Sequence, residues 1–198
     1  MNLCLTVIGA TWEAFDPFPI TVARKEVNEL VLMVTTPEFG GLSAIGNRIK
    51  SRTICDVVGI MHADIMFLPG VLKTFAETAA DRVVGMVGKA ISGDYIWSRN
   101  VGKGEIVNVS TLDGSSIFFD RKLPIDFDES FDSFHCGAED FCLQATKLGK
   151  TVGVPGTPWA DHMSGYTKSY LNPTWQAAYW GYREKLAKKW NGTQFLTC

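Results

Sequence analysis

The sequence predicts an α/β protein whose sheet is covered by helices on both faces. Three observations carry that prediction. Short apolar runs of strand length alternate with segments whose apolar residues recur at helical spacing. Glycine and proline fall between the two kinds of segment, where a chain must turn. The composition, 46% hydrophobic and 20% charged over 198 residues, suits one soluble globular domain with a sizeable core.

In order, "LCLTVI" (3–8) reads as a first strand ended by Gly9. The stretch "GATWEAFDPFPITVARKEVN" carries three aromatics and two prolines, which leaves little room for a full helix. "NELVLMVTT" (28–36) is a second strand, stopped by Pro37 and the Gly40-Gly41 pair. Ser43 can cap a helix that runs to about Arg52. "DVVGIMHADI" is a third strand and its exit, and Pro69-Gly70 opens a helix over "GVLKTFAETAADR". "VVGMVGKAI" (83–91) is a fourth strand, and 92–110 reads as loop or edge strands. "SSIFFDRKL" (115–123) is a further strand. "GAEDFCLQATKLGK" (137–150) has helical spacing with Gly149 as its stop, and "TVGVPG" is a short last strand. A final helix runs from Asn172-Pro173 to about Trp190.

Bulk properties exclude several classes. A net charge of −2 gives no global attraction to nucleic acid or anionic membrane. Five cysteines, Cys4, Cys55, Cys136, Cys142 and Cys198, with no C-x-x-C spacing, read as buried free thiols rather than a disulfide framework or zinc knuckle. No stretch approaches the roughly 20 apolar residues of a transmembrane helix. The apolar run at the N-terminus is too short for a signal peptide, so the expected location is cytoplasmic and the sequons at Asn108 and Asn191 read as chance.

Four segments can carry chemistry. His62 and Asp64 sit at the carboxyl end of the third strand, where open α/β sheets bind ligands. A carboxylate there suits a hard divalent cation, and imidazole tolerates Mn²⁺ or Zn²⁺. Glu139 and Asp140 open a predicted helix; acids there complement the helix dipole, or supply a general base for a hydroxyl. His162 lies in "WADHMSG" with Asp161, Ser164 and Gly165. Asp113-Gly114 is a turn that delivers an acid to the start of a strand. The chain's three histidines, His62, His135 and His162, each fall in one of three of these segments or beside it, which is more concentrated than scatter.

Taken in order, the segments resemble family 2-type glycosyltransferases of the GT-A fold, most of all the small bacterial and phage group. "GLSAIGNRIKSRTICDVVGIMHADIMFLPGVL" resembles the run from an Asn/Arg-bearing helix to the acidic D-x-D metal motif, here H-x-D. "LDGSSIFFDRKLPIDFDESFDSFHCGAEDFCLQATKLGKTVGV" resembles the acceptor-side half, where an E-D pair opens a helix. The resemblance covers roughly residues 3–165. It implies a mixed central sheet flanked by helices, with a domain over 1–170 and an aromatic, basic C-terminal helix (171–198) packed on it.

The roles follow residue by residue. The resemblance makes Asp64 a ligand of Mn²⁺ or Mg²⁺ on the donor diphosphate, His162 a second ligand, and His62 a further candidate in place of the first acid. It makes Asp140 the catalytic base of an inverting transfer, with Glu139 orienting the acceptor or supporting the base. Asn47, Arg48, His62, Ala63 and Asp64 lie on the donor side, and Thr11 and Trp12, with Glu13, would meet the nucleotide base. Asp113, Gly114 and His135 lie on the acceptor side. The partners implied are a nucleotide-sugar donor and a hydroxyl acceptor: a glycan, a lipid-linked sugar or modified DNA.

On the final helix, Trp175, Tyr179, Tyr182, Leu186 and Trp190 form a stripe expected to pack on the core. Arg183, Lys185, Lys188 and Lys189 form a basic side that is solvated, or meets an anionic acceptor or membrane surface. Two rivals stand beside the transferase. A nucleotidyltransferase would show a Lys/Arg-bearing loop after the first strand, and "GATWEAFDPF" has neither residue. A non-catalytic sugar-nucleotide or glycan-binding module fits the short chain and the H-x-D motif.

Overall fold

A computed structural model describes residues 1–9, 17–34, 41–133, 135–157, 159–163 and 173–191, without the Trp175 side chain. In chain order the elements are β1 (Leu3–Gly9), α1 (Pro17–Glu26), β2 (Glu29–Val34), α2 (Leu42–Arg52), β3 (Val57–His62), β4 (Ile65–Phe67) and α3 (Val71–Thr78). There follow β5 (Val83–Val84), β6 (Val87–Lys89), β7 (Tyr95–Trp97), a 3-10 turn (Ser98–Asn100), β8 (Ile106–Asn108), β9 (Thr111–Leu112) and β10 (Ser116–Asp120). The chain continues through α4 (Gly137–Lys147), β11 (Val152–Pro155), β12 (Ala160–His162) and α5 (Pro173–Lys189).

Seven strands form one mixed sheet in the order β2-β1-β3-β10-β5-β11-β8. β1 runs parallel to β2 and β3, and β10 runs antiparallel to β3. The period-two pattern explains the two cores. Leu3, Leu5 and Val7 of β1, with Val57 and Met61 of β3, join Leu72, Phe75 and Phe118 on one face. Cys4 and Ile8, with Val58 and Ile60, join Ile45, Ile49, Phe119 and Phe141 on the other. Gly59 lets Phe118 of the first core lie close over β3, because a Cβ there would lie 2.4 Å from its ring. That ring stacks on Phe75 at 4.8 Å between centroids.

Two expectations are corrected. α1 is a ten-residue helix where the prolines argued against one. Pro17 and Pro19 both fall in its first turn, where backbone N–H groups have no intrahelical partner to lose. The strand expected over 83–91 is two strands in two sheets. At Gly85 the chain passes so close to the Ser116 carbonyl that a Cβ would lie 2.5 Å from it, and Met86 N–H then donates to Ser116 Oγ at 2.8 Å. β6 leaves the main sheet there and joins β7 and β9 in a three-stranded sheet. Cys4, Cys55, Cys136 and Cys142 are buried free thiols. Among the described residues no helix is long and apolar enough to cross a membrane.

Candidate metal and group-transfer site

β3 ends at His62, whose N–H donates to the Ser115 carbonyl at 2.9 Å. The next amide, Ala63, donates to the Ile8 carbonyl at 2.8 Å, so the turn carrying Asp64 is tied to β1. The chain then reverses into β4, which pairs antiparallel with β12. That register sets His162 opposite Ile65, and Met163 N–H donates to the Asp64 carbonyl at 2.8 Å.

The result is a cluster. His162 Nε2 lies 3.0 Å from Asp64 Oδ1, and the rings of His62 and His162 are 5.6 Å apart between centroids. One ligand atom from each of His62, Asp64 and His162 falls within 4.8 Å of the others, and among the described residues no other three His, Cys, Asp or Glu gather so. Ligands on one ion, each at about 2.0–2.6 Å, lie within about 5 Å of one another, so the three fit one cation. Their electrostatics are complementary. Burial works to raise the Asp64 carboxyl, but the His162 hydrogen bond and the two imidazoles outweigh it and hold it low. Burial works against charge on His162, but Asp64, Asp113 and Asp161 raise its pKa. His62 is held low by burial first and then by His162.

Asp113 and Gly114 form the turn before β10. Asp113 Oδ1 accepts from Ser115 N–H at 2.7 Å, and Ser115 is the residue whose carbonyl holds His62. The Asp113 charge acts on His62, on His162 and on Glu139, so this turn lies near both the cluster and the start of α4.

α4 begins after Cys136, which is in the left-handed region at φ 62°. Gly137 packs against Ser43, whose Oγ would be 2.7 Å from a Cβ there. Asp140 has no exposure at all. Its Oδ1 accepts from Trp190 Nε1 at 2.7 Å, its Oδ2 accepts from Gln144 Nε2 at 2.8 Å and from Lys189 Nζ at 3.0 Å, and the Lys189 ammonium is also ion-paired to Oδ1 at 2.8 Å. Glu139 is also buried, and burial, with the charges of Asp113 and Asp140, pushes its pKa up to about 8 against its own amide and Arg183.

The other expected residues make the following contacts. Both ends of the Asn47 amide fasten α2 to the following loop: Nδ2 donates to Phe127 O and Glu129 Oε1, and Oδ1 accepts from Phe127 N–H at 2.8 Å. Arg48 lines a surface cavity of about 770 Å³ with Lys50 and Arg121. His135 packs against Tyr179 and Tyr182 of α5, at 5.7 and 6.1 Å between centroids. Thr11 and Trp12 lie outside the described residues.

Sequence reasoning missed the grip of α5. Lys189, expected on a solvated face, pairs with Asp128 and Asp140; Lys185 donates to the Ser130 carbonyl; and Leu186 is fully buried beside Phe131 and Leu143. The aromatic stripe carried the signal for packing, but the lysine beside it carried none for a buried acid 49 residues earlier in the chain.

No protein-family model and no curated protein matches this sequence. Solved structures do. GalNAc-T7, with UDP, GalNAc and Mn²⁺, matches at TM-score 0.57 and 9% identity over 83% of this chain and 44% of that one. Drosophila β1,4-galactosyltransferase 7, with manganese, UDP-Gal and xylobiose, matches at 0.55 and 12% over 84% and 73%. The fold is GT-A. A197 from STIV also matches, at 0.52 and 14% over 83% and 86%. The chain thus spans less than half the length of the GalNAc-T7 chain and most of A197. In this GT-A chain the His62–Asp64–His162 cluster stands at the carboxyl end of a strand of the central sheet, the end at which open α/β sheets bind ligands.

Proposed function

We propose that this chain is a metal-dependent glycosyltransferase that moves a sugar from a nucleotide-sugar donor to a hydroxyl acceptor with inversion. One observation carries the reading: His62, Asp64 and His162 converge at the end of β3 within a GT-A fold. One fold neighbour was solved with UDP and Mn²⁺, and another, as a mutant, with UDP-Gal and manganese. Asp64, His162 and His62 would hold the cation, and two imidazoles with one carboxylate favour Mn²⁺ over Mg²⁺. When bound, the cation neutralises charge on the departing diphosphate.

The protein's own part is positioning and proton transfer. The bond from the anomeric carbon to the diphosphate breaks, and its electron pair leaves with the diphosphate. The acceptor oxygen bonds to that carbon from the opposite side, through an oxocarbenium-like state. The acceptor's proton passes to a carboxylate of the Glu139–Asp140 pair, since a sugar hydroxyl is a poor nucleophile at neutral pH. Asp113, near both cluster and pair, suits hydrogen bonding to the acceptor. Arg183 and Lys188, the basic residues of α5 not spent on fastening the helix, suit an anionic one.

The test is a thermal-shift screen of UDP-, GDP- and CMP-sugars with Mn²⁺ or Mg²⁺, because a ligand bound to the folded state raises its melting temperature. A shift that needs both metal and nucleotide sugar, followed by release of free nucleotide, supports the reading. Binding without turnover points to a binding module, and no shift with any donor removes the proposal.

A further inference from the structure

We infer that Glu139, rather than Asp140, is the carboxylate that accepts the proton of the incoming hydroxyl, and that Asp140 instead anchors helix α5. The inference rests on the transferase reading above and decides between two adjacent acids.

The Asp140 carboxylate has about four acceptor positions. In the structure four contacts fill them, from Trp190 Nε1, Gln144 Nε2 and Lys189 Nζ to both oxygens. A base must turn a lone pair to its substrate. Asp140 would first have to break a charge-assisted hydrogen bond inside a site with no exposure. Its partners belong to α4 and the C-terminal end of the chain, and Lys189 also holds Asp128 at 2.8 Å. That is the geometry of a fastening.

Glu139 is one residue earlier and about 100° around the helix. Cys142, one turn further on the same side, has its sulfur against the Leu112 amide. Glu139 therefore faces the end of β9 and the Asp113 turn that follows it. Asp113 in turn acts on both histidines of the metal cluster. Among the described residues no lysine or indole hydrogen-bonds the Glu139 carboxylate, in contrast to Asp140. The charged groups that act on it are Asp113 from the β9–β10 turn, Asp140 from α4 and Arg183 from α5. Burial first, then the two acids, push its pKa up to about 8, so the ionised form that accepts the proton grows as pH rises toward 8, and release should rise over that range.

In the step, the acceptor O–H bond breaks as its oxygen bonds to the anomeric carbon. The proton goes to Glu139 Oε, and the diphosphate leaves with the electron pair of the broken C–O bond. Solvent water later takes the proton from Glu139.

The experiment measures nucleotide release from UDP-glucose, UDP-N-acetylgalactosamine and GDP-mannose with Mn²⁺, water serving as acceptor. It compares the wild type with Glu139→Gln, Glu139→Asp and Asp140→Asn. Melting temperature and Mn²⁺-dependent UDP binding are read on each protein. Glu139→Gln should lower release by about 100-fold or more while UDP binding and folding persist. Glu139→Asp should recover part of it. Asp140→Asn should lower the melting temperature, with turnover per folded molecule falling less than tenfold. The inference is overturned if Glu139→Gln keeps its turnover, or if folded Asp140→Asn loses it. A wild type that neither binds UDP with Mn²⁺ nor releases nucleotide overturns the transferase reading, and the assignment falls with it.

Discussion

His162 Nε2 meets Asp64 Oδ1 at 3.0 Å across 98 residues of sequence. β12 brings it there by pairing with β4, so the pair depends on a two-stranded ladder and not on a local motif. Without metal, this pair is also a titrating contact. The lowered Asp64 contributes stability above its unfolded pKa that is lost as pH falls through the folded value. The raised His162 contributes stability below its unfolded pKa that is lost as pH rises through the folded value. Metal requires the neutral ring, so proton and cation compete for His162. Mn²⁺ affinity should fall as pH is lowered from about 8 to about 6. Asp64→Ala and His162→Ala should each weaken Mn²⁺ on the order of 100-fold by calorimetry. Retained binding in both would remove the metal assignment.

His62 tunes which ion the site prefers. Its neutral ring, held so by burial and by His162, is a borderline-soft ligand that Mg²⁺ uses poorly. The wild type should bind Mn²⁺ at least about tenfold tighter than Mg²⁺, and His62→Asp should narrow that ratio. An unchanged ratio would put His62 outside the coordination sphere. Competition titration reads it directly.

The α5 anchor should appear as stability. Leu186 is fully buried with Phe131 and Leu143, so Leu186→Ala should cost about 2–5 kcal/mol in chemical denaturation. Lys189→Met removes the cation from a carboxylate that has no exposure and should cost about 3 kcal/mol, the low end for such a loss because Trp190 and Gln144 still donate. If both variants match the wild type, α5 does not hold the fold.

Asn47 should behave as a fastener. With three hydrogen bonds to Phe127 and Glu129, Asn47→Ala leaves the Phe127 backbone groups without these partners. A loss of about 1–3 kcal/mol is expected, with Mn²⁺-dependent UDP binding kept in the folded protein. Loss of UDP binding at unchanged stability would restore Asn47 to the donor side.

Glu139 should leave a mark on stability that needs no substrate. Its folded pKa of about 8 lies above its ordinary value of 4.5, so the folded state holds a proton that the unfolded state has released. Stability from this group therefore falls as pH rises between those values and is level above them. Glutamine imitates the protonated acid. The melting temperature of Glu139→Gln should gain on the wild type as pH rises from about 5 to about 8, and parallel curves would contradict the buried, proton-holding state.

The sequence by itself determined the alternation of strands and helices, because burial on one or both faces imposes a period on the chain. It also determined that His62 and Asp64 stand at a strand's carboxyl end, since "VVGIM" reads as a buried strand and Pro69-Gly70 opens a helix, although the short strand β4 between them was not legible. It did not hold the pairing partner of β4, which fixes His162 beside Asp64. Strand pairing joins residues far apart, and its register answers to burial and hydrogen bonding in three dimensions. Nor did it hold the separate fates of Glu139 and Asp140. Both read as acids at a helix start. The 100° step from one residue to the next sends the second under α5, onto Lys189 and Trp190, and leaves the first toward Asp113. Helical phase is local, but what stands against each face is decided only when the last helix folds back on the sheet.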